Sequence, residues 1–399
     1  MNTHLKRKIA FALSMGVVTT GIISFALLAL NLGFTENFAA TWLRSWGIGY
    51  LIVIPAILLV GPRLQAQVDR LIPVATTEAT DVFKPSLKNL IGSVLMTSTL
   101  IASGCAHDPG TPERKADIGA VEIDGGMTLR NLVVHNAAAK GTVLLLHGFP
   151  ETVYAWKEIA IDLGDDYEVH AFDWPGYGLS SRPAADRFSY APADYAQVLK
   201  QYIDKAGIDR SNLTIYATDI GALPALLLAL EQPDIARTII VGDFAPFDRP
   251  QYMYESLQNL KGGPAAEPTR AYMNDHRDEI LANTFHRGLP DDARYGISPE
   301  FRDDMARGWN QGDMTSVDAF AHYYSHFTRD QHYFESNLAR LRTPVKVVWG
   351  EKDLYINQAM ATEFSAKANV ELTVLPGIGH YPHLQDRKRT VEEIRASFR

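Results

Sequence analysis

Residues 214–225 read TIYATDIGALPA, and the fold turns on how they are read. The β-rich run LTIYATD ends at Asp219, and the apolar run ALPALLLALEQ (222–232) begins just after it with helical character. Small residues flank a single reactive side chain, the outline of a tight strand-to-helix elbow. An acid at the tip, in place of a hydroxyl, raises the question of what a carboxylate can do there.

Working outward from the elbow, strand-like and helical runs alternate. GTVLLLHG (141–148), EVHAFDWPG (168–176) and ARTIIVGDF (236–244) read as strands, and DYAQVLKQYIDKAG (194–207) reads as a helix. Continuous apolar strands alternating with helices indicate a mostly parallel sheet covered on both faces, an α/β fold. The alternation breaks at about 245–338, a stretch rich in Tyr, His, Asp and Arg that looks helical in pieces. It resumes with PVKVVWGEKD (344–353) and VELTVLPGIGH (370–380). An inserted helical lid explains this order, because the last strands need the first as neighbours.

The 399 residues are 46% hydrophobic, enough for one large domain and something smaller. A formal net charge of −8 provides no broad cationic surface for phosphates, so nucleic acid is not expected as a partner. The one cysteine, Cys105, excludes an intrachain disulfide, and no Cys/His cluster suggests a metal.

Ahead of the large domain, residues 9–30 and 45–62 run uncharged for 22 and 18 positions, long enough to cross a hydrocarbon core. Lys6, Arg7 and Lys8 precede the first run, and Arg63 and Arg70 follow the second. The spacing predicts a transmembrane helical hairpin over 1–72 with both outer flanks in the cytoplasm. Two buried core helices are the other reading, but those usually show polar faces at helical spacing. Residues 31–34 (NLGF) and 42–46 (WLRSW) resemble a small bacterial family of two-helix membrane proteins of unknown function. A linker, 73–116, contains a signal-peptide-like run, NLIGSVLMTSTLIASGC (89–105), ending in a lipobox-like Ile101-Ala102-Ser103-Gly104-Cys105. Cys105 is then a lipidation candidate, and residues 117–399 are expected in the periplasm, attached to the inner membrane of a bacterium.

Four short motifs stand in order along the large domain: HGFP (147–150), ATDIG (217–221), GEKD (350–353) and GIGH (377–380). Strand, elbow, late acid and terminal histidine in this order resemble the α/β-hydrolase fold over about residues 115–399. Within it, the Asp elbow and LLLHGFPETVYAW (144–156) resemble the epoxide hydrolase and haloalkane dehalogenase branch, epoxide hydrolases most. The resemblance implies that Asp219 attacks a saturated carbon, that Asp353 orients His380, and that His380 activates water. The backbone N–H groups of Phe149 and Ile220 are implied as the oxyanion hole.

The chemistry of the residues agrees with this. Serine attacking an sp³ carbon leaves a stable ether, whereas a carboxylate leaves an ester that water can cut. A carboxylate near its ordinary pKa of about 3.9 also needs no base before it attacks. Taken singly, Asp219 also fits a helix N-cap, Asp353 a cap on the following helix, and His380 a loop histidine. Asp243 ends a strand too and is a reserve acid.

An epoxide's leaving oxygen needs a proton, supplied in epoxide hydrolases by lid tyrosines, while a halide needs N–H donors. Ile220 and Phe149 stand where haloalkane dehalogenases typically have Trp and often have Asn, and neither offers a side-chain donor. AFAHYYSHF (319–327) resembles the lid stretch ending in the proton-donating tyrosine. Tyr324 is the candidate acid and Tyr323 the next, with aromatic lid packing as their alternative role. Tyr272, Tyr252, His286 or His326 are candidates for a second donor. The expected function is epoxide hydrolysis to a diol on a small apolar organic substrate, with no cofactor and no metal. The alternatives are a haloalkane or haloacid dehalogenase, an ester hydrolase, and a catalytically silent ligand-binding module.

Overall fold

The computed structural model describes residues 25, 38–39, 41–44, 46–47 and 114–399. The chain divides into two units, Met1–Ala106 and His107–Arg399. In the first, the described positions are helical, and Phe25 packs edge-on against Phe38 and Trp42 at 5.4 and 5.5 Å. Most of the expected hairpin, the run 89–105 and Cys105 lie outside the described residues. Among the described residues no helix is long and apolar enough to cross a membrane.

The second unit is built on an eight-stranded sheet. In chain order its strands are β1 (Asp117–Ile123), β2 (Met127–Val134), β3 (Thr142–Leu146), β4 (Glu168–Phe172), β5 (Leu213–Thr218) and β6 (Thr238–Gly242). After a lid hairpin of β7 (Asn310–Gln311) and β8 (Met314–Thr315) come β9 (Val345–Gly350) and β10 (Glu371–Leu375). The sheet order is β1-β2-β4-β3-β5-β6-β9-β10. The pairs β1–β2 and β2–β4 are antiparallel, and the others are parallel.

Strand β5, the elbow strand, lies at the centre, and all six of its residues are buried. Helices α1 (Lys157–Leu163), α2 (Pro192–Lys205) and α3 (Ala222–Glu231) link the first parallel strands. Helix α3 is buried at every position from Ala222 to Leu230, so it is apolar all round, as a helix enclosed in a core must be. Each of its fully buried leucines contributes about 1.5–3 kcal/mol relative to exposure. Pro224 falls in its first turn, where no N–H is required.

Between β6 and β9 lies the lid: α4 (Glu255–Leu260), α5 (Ala266–Asp275), α6 (Arg277–Asn283), α7 (Pro299–Gly308) and α8 (Ser316–Asn337). Thr315 and Asp318 form a capping box at the start of α8. Phe320, Tyr323, Tyr324, Phe327, Gln331 and Phe334 recur at helical spacing and form its buried face. Polar contacts dock the lid: Arg130 of β2 donates from both terminal nitrogens to Asp304 of α7 at 2.8 and 2.7 Å. Gln331 donates to the carbonyls of Ala245 and Phe247, both at 2.8 Å. Helix α9 (Gln358–Ala368) links β9 to β10, and α10 (Pro382–Gln385) and α11 (Arg387–Ala396) follow β10.

Candidate active site

Parallel strands deliver their loops to one edge of the sheet, where α/β folds bind ligands. Phe149 follows β3, Asp219 follows β5, Asp243 follows β6, Asp353 follows β9 and His380 follows β10. The topology thus gathers side chains that are up to 231 positions apart in sequence, from Phe149 to His380.

Asp219 holds a positive φ of 48°, a conformation that non-glycine residues rarely adopt. The turn therefore aims the side chain out of the sheet rather than back onto the helix: no side-chain cap forms at the start of α3, so Asp219 does not act as its N-cap. The small flanking residues have a steric cause. A Cβ on Gly148 would lie 2.5 Å from the Asp219 Cβ, and one on Gly221 would lie 3.1 Å from the Leu146 Cβ.

Three of the expected residues meet directly. His380 Nε2 lies 3.1 Å from Asp219 Oδ2, and His380 Nδ1 lies 2.8 Å from Asp353 Oδ2. The other Asp353 oxygen accepts from the N–H groups of Tyr355 and Ile356 at 2.8 and 3.1 Å. Asp353 is thus both a turn cap and a histidine partner, one oxygen for each. Its carboxylate is buried, while that of Asp219 keeps 15% of its surface open. Burial raises the Asp219 pKa above the ordinary value, against the lowering effect of His380. Burial pulls the His380 imidazole down, but the charges and hydrogen bonds of Asp353 and Asp219 more than reverse this and hold its proton on well above the usual pH.

Asp243, the reserve acid, joins the same cluster. It is fully buried, its Oδ1 accepts from the Gly350 N–H at 2.9 Å, and its Oδ2 has no hydrogen-bond partner. Asp243, Asp353 and His380 each offer a ligand atom within 4.8 Å of the others. Between two of these residues the close contact is the direct His380–Asp353 hydrogen bond. Burial first, and the Asp353 charge next, push the Asp243 pKa well above the ordinary carboxylate value. The unfolded chain releases this proton above about pH 4, so above that pH folded Asp243 costs stability that grows until its own raised pKa is reached. Asp243→Asn keeps the shape and the Oδ1 acceptor and removes that cost. Its melting temperature should therefore gain on the wild type more at pH 8 than at pH 5, and a larger gain at pH 5 would contradict the assignment.

These groups open into a cavity of about 290 Å³ lined by Asp219, Ile220, Phe149, Tyr324, His380 and neighbours from the lid. Phe149 stacks on Phe320 at 4.2 Å, and much of the remaining wall is apolar or aromatic. The two implied oxyanion residues have pinned carbonyls: Tyr323 Oη donates to Ile220 O at 3.1 Å, and Tyr381 Oη donates to Phe149 O at 2.8 Å. Tyr323 is therefore committed to the elbow. Tyr324 is buried and lines the cavity, and its hydroxyl has no hydrogen-bond partner among the described residues. Burial, followed by the charges of Asp219 and Asp353, keeps that phenol protonated.

The candidates for a second donor separate. Tyr272 lines the cavity but is 53% exposed and stacks on His276. Tyr252, His286 and His326 lie outside the lining, and His286 bonds the Tyr295 carbonyl. Residues not singled out in the sequence also face the cavity, among them Tyr254, Tyr355, Tyr381 and Arg287.

Known proteins match both parts of the chain. Residues 5–72 match a domain of unknown function. Haloalkane dehalogenase 2 of Mycobacterium tuberculosis is 32% identical over 108 residues, which is 27% of this chain and 36% of that protein, so the chain matches only about a third of its length. Human epoxide hydrolase 4 is 25% identical over 290 residues, 69% of this chain and 76% of its own. The structure of Cfl2 from Burkholderia cenocepacia superposes with a TM-score of 0.60 at 21% identity, covering 72% of this chain and all of that one. The family description "alpha/beta hydrolase fold" matches residues 141–386. With sheet order, elbow and family match in agreement, the chain belongs to the α/β-hydrolase family.

Proposed function

We propose that this chain is a hydrolase that opens an epoxide to a diol through a covalent ester on Asp219. The observation that carries the reading is a carboxylate at the elbow tip whose Oδ2 is 3.1 Å from a histidine that is itself bonded to a buried acid. An oxygen of Asp219 attacks the substrate carbon, the epoxide C–O bond breaks, and its oxygen takes the Tyr324 proton. Alkylation removes the Asp219 charge, which lowers the cost of a nearby phenolate and withdraws one of the two anions that hold the proton on His380. That proton passes to the Tyr324 phenolate and restores the acid, and neutral His380 then takes a proton from water as the water oxygen adds to the ester carbonyl. The oxyanion sits on Asp219 itself, toward the N–H groups of Phe149 and Ile220. Collapse expels the diol and restores the carboxylate.

Epoxide opening is favoured over halide displacement because a free phenol, rather than an indole or amide N–H, faces the cavity. Tyr324→Phe should lower kcat on an epoxide by about 100-fold, the scale of one general acid. Displacement of bromide from a chain of equal length should change little. Equal losses on both substrates, or none on either, would count against Tyr324 as the acid. A panel in which only haloalkanes turn over would move the reading to a dehalogenase.

The domain limits 1–72, 73–116 and 117–399 and the placement at the bacterial inner membrane with a periplasmic hydrolase are proposed on the sequence alone. Cys105→Ser should lose incorporation of a fatty-acid analogue in cells, and undiminished labelling would remove the lipoprotein part.

A further inference from the structure

Arg287 lines the same cavity as Asp219 and His380. Its Nε donates to Tyr355 Oη at 3.1 Å and its Nη1 to Tyr254 Oη at 3.0 Å. The guanidinium also lies over both rings, 5.3 Å from the centre of Tyr254 and 5.8 Å from that of Tyr355. It is held in place, yet no carboxylate lies within 4.0 Å of it among the described residues. Two other arginines of this unit are answered by acids: Arg249 sits between Glu335 and Glu363, and Arg270 between Glu267 and Asp318. A guanidinium carries five N–H donors, and the two phenols take two of them. The other three have no protein acceptor among the described residues.

The link to the reacting atoms is short. The Tyr355 ring is 5.0 Å from the ring of His380, so the Arg287 anchor abuts the proposed base. Thr284 fixes Tyr355 from the other side, with Tyr355 Oη donating to the Thr284 carbonyl at 3.1 Å. Phe244, Leu257 and Phe327 are among the apolar lining of the same cavity, beside the polar Thr269, His276 and Glu279.

We propose that Arg287 is an anion subsite, and that the compound attacked at Asp219 is an organic acid whose apolar chain separates its carboxylate from its electrophilic carbon. This rests on the reading of Asp219 above and narrows its substrate class. A planar fork with free N–H groups matches a carboxylate, and it offsets the repulsion that Asp219 would otherwise exert on an anionic ligand. Immobilisation by Tyr254 and Tyr355 lowers the entropy lost when the ligand arrives.

The test uses ligands without an electrophile, so it does not depend on turnover. Hexanoate and hexanamide, equal in shape and differing in charge, are titrated into the full-length protein and into Arg287→Gln by calorimetry. Wild type should bind hexanoate at least about tenfold more tightly than hexanamide, the scale of a charge-assisted hydrogen bond. In Arg287→Gln that preference should vanish while hexanamide affinity holds, and Arg287→Lys should restore part of it. Equal affinities in the wild type, no hexanoate binding, or a preference surviving in Arg287→Gln would overturn the subsite. The wild-type pair decides even if a variant fails to fold. A clear hexanoate preference with no adduct ever found on Asp219 would sink the ester reading and leave the subsite standing. Adducts from neutral epoxides without a hexanoate preference would do the reverse.

Discussion

Asp219→Ala should reduce kcat on the natural substrate by about 10⁴-fold or more, the range seen when a covalent nucleophile is removed. No other group can replace it. Asp353 has both oxygens engaged, and Asp243 is fully buried beneath it with its proton held on. Stability should change little. Alanine keeps the positive φ of 48°, but burial disfavours the ionised form of Asp219, so removing the carboxylate relieves part of an electrostatic cost. Loss of the His380 contact opposes this, so the melting temperature should stay within a few degrees of the wild type while activity disappears. Circular dichroism and steady-state rates on one preparation check both. Residual activity above a few per cent of wild type would show that the chemistry lies elsewhere.

His380→Gln separates the two halves of the reaction. Attack by Asp219 needs no base, so the ester should form at a rate within about tenfold of the wild type, whereas its hydrolysis should slow by about 10³-fold or more. The kinetic signature is consumption of one epoxide equivalent per enzyme, held as the ester, followed by near silence. In the wild type the pH dependence of the second step should report His380 after esterification. Because the Asp219 charge is then gone, the apparent pKa should fall below that of the free enzyme, where Asp353 and Asp219 together hold it up. Loss of the first step together with the second would mean that His380 is needed for attack, which is serine-type chemistry and not this account.

Much of this fold was legible because its signals are local. The apolar runs of β3 and β5 show up in any short window, and so do the small residues that let Asp219 approach Gly148. Other features depend on which strand ends become neighbours. Asp243 could be read only as a reserve acid, because nothing local says that β6 and β9 lie side by side and bring it against Asp353. Tyr323 and Tyr324 are adjacent in the chain, but about 100° of helical rotation sends one hydroxyl to the Ile220 carbonyl and leaves the other facing the cavity. Arg287 carried no motif at all. Of its two tyrosines, Tyr254 comes from the start of the lid insertion and Tyr355 from the turn after β9, and only a half-buried cation without an acid beside it marks the place. The front of the chain is a proposal from the sequence alone, since its apolar runs lie almost wholly outside the described residues.

The central claim is a covalent ester on Asp219, and a single turnover in H₂¹⁸O with enzyme in excess tests it most directly. If water attacks the ester carbonyl, the first diol released contains no heavy oxygen, and the peptide containing Asp219 gains mass. Heavy oxygen in that first diol, with an unlabelled Asp219 peptide, would mean that water attacks the substrate itself, and it would contradict the account.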